Sequence, residues 1–362
     1  MSKVFKVGIV GCGGIANGKH LPALKKLADQ GKLELVYFCD IVEERAEQAA
    51  KKFGAEGAKV TTDYKELVAA ELDVVHVCTP NRSHSEISCA AMNAGKDVMC
   101  EKPMAINAAE AKKMVDTAKA TGRTLSIGYQ NRQRPESQYV KAEAEAGFFG
   151  DIYFARAYAV RRRAVPTWGV FLNEYEQGGG PLIDIGTHAL DLTLWTMDNY
   201  KPKYCVGTTY HKLNNQTNTG NAWGDWDPEK FTVEDSAFGF IVMENGATIQ
   251  LNSSWALNCL EVEEAKTVLC GTKAGADMHD GLRINGVKFG KQYTMKPEMN
   301  AKGVDFYSGS ADDPKIMEQR IFIDAIKGEG EVVVKPEQAF VVTQLLEAIY
   351  ESAKTGKPVY FD

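Results

Sequence analysis

Three side chains able to move a proton or hold a hydroxyl stand close together in GGGPLIDIGTHALDLTLW, residues 178–195. On a helix Asp184 and His188, four residues apart, share one face, and Asp191, seven beyond Asp184, falls on much the same face. A neutral imidazole takes a hydroxyl proton near pH 7, and an aspartate beside it orients the ring and holds a second hydroxyl. The same spacing also suits an ordinary i,i+4 pair on an exposed helix. A metal site fits less well, because one histidine and two aspartates are a poor ligand set for zinc. Lys102, in Glu101-Lys102-Pro103, is a further candidate. Pro103 confines the residue before it to extended backbone, which fixes where the lysine points. An isolated EKP would read as a surface turn, but this one ends the apolar run Asp97–Cys100.

A different chemistry is written at residues 6–16, KVGIVGCGGIA, where an apolar run stops at Gly11, Gly13 and Ala16 in the spacing G-x-G-x-x-A. A strand handing over to a helix there leaves free N–H groups and a positive dipole end facing the loop, which suits a pyrophosphate. Glycine at 11 and 13 removes the Cβ atoms that would keep the anion away. Short glycine patterns are weak alone, so the next stretch matters. Leu33–Cys39 reads as a second strand followed at once by Asp40. A carboxylate at that point holds a ribose 2'-hydroxyl and repels a 2'-phosphate, although it could also cap a helix starting near Glu43. No lysine or arginine adjoins Asp40 in the chain, so the pattern favours NAD over NADP.

The elements that must position these groups alternate strand and helix through residue 128, as a parallel sheet requires. After the glycine loop comes a helix with Leu21, Leu24 and Leu27 on one face, restarted near Pro22 and ended by Gly31. Helices are expected near 43–53, 63–70, 84–94 and 108–120, with Asp63 as a cap. Strands are expected near 59–61, 73–78, 97–100 and 124–128. Ligands lie beyond the carboxyl ends of such strands, which brings Thr79, Pro80, Asn81, His84 and Lys102 toward the glycine loop. His76, inside a strand, reads as a core histidine. Beyond Tyr129 the pattern changes to long alternating runs, with a hairpin turn at Glu244-Asn245-Gly246. The fold class is therefore α/β with a second α+β domain: residues 1–128 dinucleotide-binding, and residues 129–362 for substrate binding and oligomerisation, carrying a large, mostly antiparallel sheet and two final helices that are free to pack back on the first domain. A polar stretch near 214–227 contains Trp223 and Trp226, which either stack on a sugar ring or fill a subunit interface.

Composition narrows the partners. The 362 residues carry a formal charge of -6, with 44% hydrophobic and 25% charged residues. There is no basic face for nucleic acid or an anionic membrane, and Arg161 to Arg163 form the only dense basic run. No apolar run approaches the ~20 residues needed to cross a bilayer. The first strand begins too early for a secretory leader, so a cytoplasmic protein is expected. Eight cysteines show no C-x-x-C pair and no zinc spacing, and read as reduced, buried thiols.

GIVGCGGIA at 8–16, Cys39-Asp40, CTPNRSH at 78–84, EKP at 101–103 and GGGPLIDIGTHALD at 178–191 together resemble the Gfo/Idh/MocA oxidoreductases, which include glucose-fructose oxidoreductase and inositol dehydrogenases. The resemblance implies a Rossmann domain, NAD as cofactor, no metal, and a second domain whose open sheet pairs subunits as a homodimer or homotetramer. It implies catalytic roles for Lys102, Asp184 and His188. Cofactor contacts are implied for Gly11, Cys12, Gly13, Gly14, Ile15, Asp40, Ile41, Thr79, Pro80, Asn81, His84, Glu101, Lys102 and Gln130. Substrate contacts are implied for Tyr129, Arg132, Arg162, Trp168, Asp184 and His188. GYQNRQRP at 128–135 departs from the aromatic and arginine-rich version common in relatives, and RRRAVPTWG resembles members that oxidise glucose-like rings. The implied reaction is NAD-dependent oxidation of a secondary ring hydroxyl of a sugar, glycoside or inositol. Two alternatives are an NAD-dependent glycosidase working by transient oxidation and elimination, and a non-catalytic sugar-responsive regulator.

Overall fold

A computed structural model describes residues 3–299 and 313–361. The chain divides into two compact units, residues 1–130 with 312–340, and residues 131–311 with 341–362. The helix Pro314–Ile326 therefore belongs to the first unit, despite lying far along the chain.

Six short apolar runs form the sheet of the first unit: β1 (Phe5–Val10), β2 (Leu33–Cys39), β3 (Lys59–Thr61), β4 (Val74–Val77), β5 (Asp97–Cys100) and β6 (Leu125–Ile127). They lie in the order β3-β2-β1-β4-β5-β6, with every pair parallel. This is the arrangement of dinucleotide-binding sheets, whose ligand crevice opens where the order reverses, between β1 and β4. Val74, Val75 and Val77 are fully buried, as parallel strands covered on both faces require. The helix Leu21–Asp29 buries Leu21, Leu24 and Leu27 completely, against a core that also takes Phe322 and Ile323 from the returning helix. Each such leucine contributes roughly 1.5–3 kcal/mol. Pro22 is tolerated because it sits in the helix's first turn, where its missing N–H is not needed. Asp63 caps its helix, accepting from Lys65 N at 2.9 Å. His76 is fully buried in β4, and burial first of all drives its ring far below the usual imidazole range, so it stays neutral in the core.

The second unit is built on nine strands: β7 (Ile152–Val160), β8 (Pro202–Tyr210), β9 (Ser236–Met243), β10 (Thr248–Ser254), β11 (Glu263–Gly271), β12 (Ala274–Asp277), β13 (Arg283–Lys288), β14 (Lys291–Met295) and β15 (Val359–Tyr360). Their order is β14-β13-β12-β11-β7-β10-β9-β8-β15. All neighbours are antiparallel except β10 with β7. The Glu244-Asn245-Gly246 turn joins β9 to β10, with Gly246 at φ 87°. After the exposed Tyr153, one face of β7 presents Ala155, Ala157 and Ala159, all fully buried. Side chains this small let the helix Thr187–Met197 lie close against β7 and β11. A single π turn, Leu182–Gly186, leads into that helix.

Candidate functional site

In the first unit the glycine loop follows β1 directly. Gly11 has φ 92°, and a Cβ there would fall 2.5 Å from the carbonyl oxygen of Cys78. Its glycine identity thus comes from the close approach of the loops after β1 and β4, rather than from room for an anion. Gly13 and Gly14 are different: a Cβ on either would meet no protein atom within 4 Å. Packing inside the protein does not require glycine there, whereas backbone approach of a pyrophosphate does. Ile15 and Ile41 flank this space with exposed apolar side chains, 44% and 89% accessible.

Asp40 is nearly buried and works through both oxygens. Oδ2 accepts from Cys12 N at 2.8 Å and Oδ1 from Val42 N at 2.9 Å. The helix Glu43–Phe53 takes Val42 as its cap, so Asp40 does not fill the cap position, although it accepts from the cap residue's N–H. Each carboxylate oxygen keeps a second lone pair, which leaves acceptors for ribose hydroxyls. Folding also brings the Arg45 guanidinium to 4.0 Å from Asp40, although no lysine or arginine adjoins it in sequence. Burial, with Asp40 beside it, pushes the Cys12 thiol up to about 12, so Cys12 contributes its backbone N–H and not a reactive sulfur. These residues fit NAD: open glycines, a carboxylate fixed at the end of β2, and exposed apolar side chains beside it.

Several residues expected to touch the cofactor or substrate are engaged by partners within the protein. Glu101 is 4% exposed, and its Oε1 lies 2.8 Å from Lys19 Nζ and 2.6 Å from His20 Nε2. Burial alone would raise its carboxyl, but Lys19 and His20 outweigh that and hold it well below the usual range. Its other oxygen accepts from Lys102 N at 3.1 Å, so Glu101 braces the backbone of the candidate lysine. Gln130, partly exposed, accepts from Lys19 through Oε1 at 3.0 Å. Glu318, on the returning helix, pairs with Lys19 at 3.0 Å. Burial disfavours the Lys19 ammonium, yet the two carboxylates more than offset it and hold its pKa above the ordinary lysine value. Sequence reading missed Lys19, which lies off the Leu21, Leu24 and Leu27 stripe and carries no motif. His84 is fully buried, with Nδ1 2.8 Å from the Pro103 carbonyl and Nε2 2.9 Å from that of Thr79. Burial lowers its pKa, and a neutral ring donates to one of these carbonyls at a time. It links the turns after β4 and β5. Tyr129 is 1% exposed. Among the described residues, no three His, Cys, Asp or Glu side chains are grouped so as to hold a metal ion.

In the second unit the π turn changes the expected geometry. It takes one residue more than an α turn, so α-helical counting across it misplaces Asp191. Asp184 accepts from Trp255 Nε1 at 3.0 Å, whereas Asp191 is buried and paired with Arg132. Arg132, expected at the substrate, is fully buried: its Nε and Nη2 reach the two Asp191 oxygens at 3.0 and 2.6 Å, and its guanidinium lies 5.5 Å from the Trp195 ring. Bidentate engagement in the interior makes Arg132 a strut and not a substrate contact. Trp255, fully buried at the end of the run through β10, is the orienting residue that sequence reading missed. His188 sits in the first turn of Thr187–Met197 and is partly exposed, as is Asp184.

The basic run after β7 divides its labour. Arg161 forks onto the Glu264 carboxylate and stands 5.3 Å from the Trp223 ring. Arg163 donates to the Thr219 and Ala256 carbonyls at 3.2 and 2.9 Å. Arg162 is exposed. Trp168 is 51% exposed and meets Trp223 edge to face at 4.9 Å between centroids. Trp226 is buried against Phe231 and donates to the Asn214 carbonyl at 2.9 Å. Of the two tryptophans in that loop, Trp226 is core and Trp223 extends an aromatic surface begun by Trp168.

The chain was compared with known proteins. Residues 5–129 match the family model of an oxidoreductase family with an NAD-binding Rossmann fold, GFO_IDH_MocA, and residues 137–277 match the GFO/IDH/MocA C-terminal domain. D-glucoside 3-dehydrogenase of Escherichia coli (strain K12) is 36% identical over 359 residues, 99% of this chain and 98% of that protein. Glucose-6-phosphate 3-dehydrogenase of Bacillus subtilis (strain 168) is 32% identical over 59% of each chain. A solved levoglucosan dehydrogenase, in complex with NADH and levoglucosan, shares the fold with TM-score 0.83 at 21% identity, covering 99% of both chains. The protein belongs to the GFO/IDH/MocA family of NAD-binding oxidoreductases.

Proposed function

We propose that this protein oxidises a secondary ring hydroxyl of a sugar, at C3 of a glucose-like ring, with NAD as the electron acceptor. The observation carrying this reading is the full-length similarity to a D-glucoside 3-dehydrogenase in a chain that retains Lys102, Asp184 and His188. When bound, NAD would supply the two-electron acceptor for the hydride that leaves the hydroxyl-bearing carbon. His188 takes the hydroxyl proton as the carbonyl forms, so a C–H and an O–H bond are exchanged for one C=O bond and a protonated imidazole. Lys102 holds the charge that develops on the oxygen and contacts the nicotinamide ribose. Asp184, oriented by Trp255, binds the neighbouring hydroxyl. Trp168 and Arg162 line the sugar.

A screen of inositols, aldoses, anhydrosugars and glycosides with NAD tests the reading, with the product mapped by NMR. A keto-sugar accompanied by equal NADH is expected. Aglycone release without net NADH would assign the protein to the glycosidase reaction, and tight NAD binding with no turnover on any sugar would revive the regulator.

For the cofactor, Asp40→Ala is expected to weaken NAD binding more than NADP binding, because Arg45 then faces the site without its carboxylate. Equal loss of both would refute the ribose contact.

Subunit pairing through the second sheet is part of the same proposal. Register places Tyr210, Phe240 and Tyr360 on one face, 39%, 40% and 68% exposed. An exposed aromatic patch of this kind marks an interaction surface. Light scattering is expected to give a dimer or tetramer, and Phe240→Asp to give monomers; a monomeric parent contradicts this. Eight free thiols accord with the cytoplasm, and recovery of the protein from a periplasmic fraction would exclude it.

A further inference from the structure

The glycine run before the Asp184–His188 helix has no role in the chemistry above, yet three consecutive glycines beside a catalytic helix are costly in backbone entropy. Their neighbours explain them. Gly178 has φ 79°. A Cβ on Gly179 would lie 2.1 Å from the Tyr350 hydroxyl, and one on Gly180 would lie 2.3 Å from the Glu234 carbonyl. The turn is pressed against Glu234 and Tyr350, and only glycine permits that approach.

Glu234 is 3% exposed and uses its whole carboxylate on this turn. Oε2 accepts from Gly180 N at 2.8 Å, and Oε1 accepts from Leu182 N at 3.1 Å and from Tyr350 OH at 2.8 Å. The two amides are among those a helix start leaves without partners of its own. Burial pushes the Glu234 carboxyl up to about 7 against the pull of these donors, and the anchor is the set of three hydrogen bonds, since any displacement leaves buried donors and acceptors unpaired. The next amides pass this rigidity on: Asp184 N donates to Gly180 O at 2.9 Å, one turn before His188.

The adjacent residue fixes the other side of Asp184. The Asp235 carbonyl accepts from Trp255 N at 3.2 Å, and its carboxylate accepts from the backbone of Lys212 and Leu213. Trp255 is the residue that donates to the Asp184 carboxylate. The dipeptide Glu234-Asp235 therefore grips both the start of the helix bearing Asp184 and the backbone of the tryptophan that orients it.

We propose that Glu234, with Tyr350, is a positioning pair that sets the placement of Asp184 and His188 through the Gly178–Leu182 turn. The inference rests on the reading of Asp184 and His188 as the substrate-facing residues. Glu234→Gln keeps the size of the side chain but turns one acceptor into a donor facing an N–H. Tyr350→Phe removes a single donor and leaves the glycine contact in place.

The experiment uses the full-length protein with NAD bound. Amide hydrogen exchange over residues 179–188 is read without substrate, and kcat, KM and NAD affinity are read with the sugar found in the screen. Glu234→Gln is expected to speed exchange within that segment and to lower kcat by about 10²-fold, with NAD affinity unchanged, because small misplacement of reacting groups costs about that much. Tyr350→Phe is expected to show the same pattern more weakly, and it decides the matter if Glu234→Gln does not fold. The isotope effect of a substrate deuterated at the oxidised carbon is expected to rise in both variants as the chemical step becomes slower.

Exchange in residues 179–188 unchanged in both variants would overturn the proposal. So would a loss of activity that follows only the folded fraction, with kcat per bound NAD and the isotope effect as in the parent. If the unaltered protein turns over no sugar, sugar oxidation falls, and the exchange arm alone judges the grip: local loosening upholds it, and none overturns it.

Discussion

Replacing His188 by alanine is expected to cut turnover about 10²- to 10⁴-fold while leaving NAD binding intact, which is the usual cost of losing a positioned acid or base. The separation of effects follows from where the parts lie. Gly13, Gly14 and Asp40 belong to the first unit and are fixed by its own hydrogen bonds, whereas His188 is carried by the second. NAD titration checks the binding arm, and steady-state kinetics on the sugar found in the screen checks the other. KM for the sugar should change less than kcat, since the proton acceptor matters most as the O–H bond breaks. Turnover unchanged in His188→Ala would give the proton to another group.

Arg132→Met is expected to cost about 3–5 kcal/mol of stability near neutral pH, because it leaves Asp191 buried and unpaired. The loss should depend on pH in a definite direction. Burial already holds the Asp191 carboxyl above its usual range, and Arg132 is what pulls it back down. Without Arg132 the folded protein retains a proton on Asp191 that the unfolded chain gives up. That group's contribution is then fully present below about pH 4 and is lost as pH rises through the folded pKa. Urea unfolding between acid and neutral pH measures the slope. Joint replacement, Arg132→Met with Asp191→Leu, should recover most of the loss, since an apolar pair needs no desolvation. A single variant as stable as the parent at neutral pH would mean that the pair carries no such weight. If Arg132→Met alters sugar KM without altering stability, Arg132 returns to the substrate.

Much of the fold was legible because its signals are local. Buried parallel strands, the Leu21, Leu24 and Leu27 stripe, the Asp63 cap and the Gly246 turn depend on neighbours a few residues away. The chemistry-bearing types were legible for the same reason, since a glycine loop after a strand and a carboxylate after the next are set by chain order. Partner choice was not legible. Glu101 and His84 look like ligand contacts because they adjoin Lys102 and Asn81, but their partners Lys19 and Pro103 lie 82 and 19 residues off. Arg132 finds Asp191 across 59 residues. Asp191 was assigned to the Asp184 face by α-helical counting, which the π turn breaks. Trp255 and Glu234 carry no motif, and only the packed strands show that both grip the same turn.

The central claim, transfer of hydrogen from a ring carbon to NAD, is tested most directly with a glucoside deuterated at C3. After incubation with the protein, deuterium at C4 of the reduced nicotinamide, together with the 3-keto product, is the expected result. Deuterium lost to water while the glucoside is cleaved, or retained in an unchanged glucoside, would contradict it.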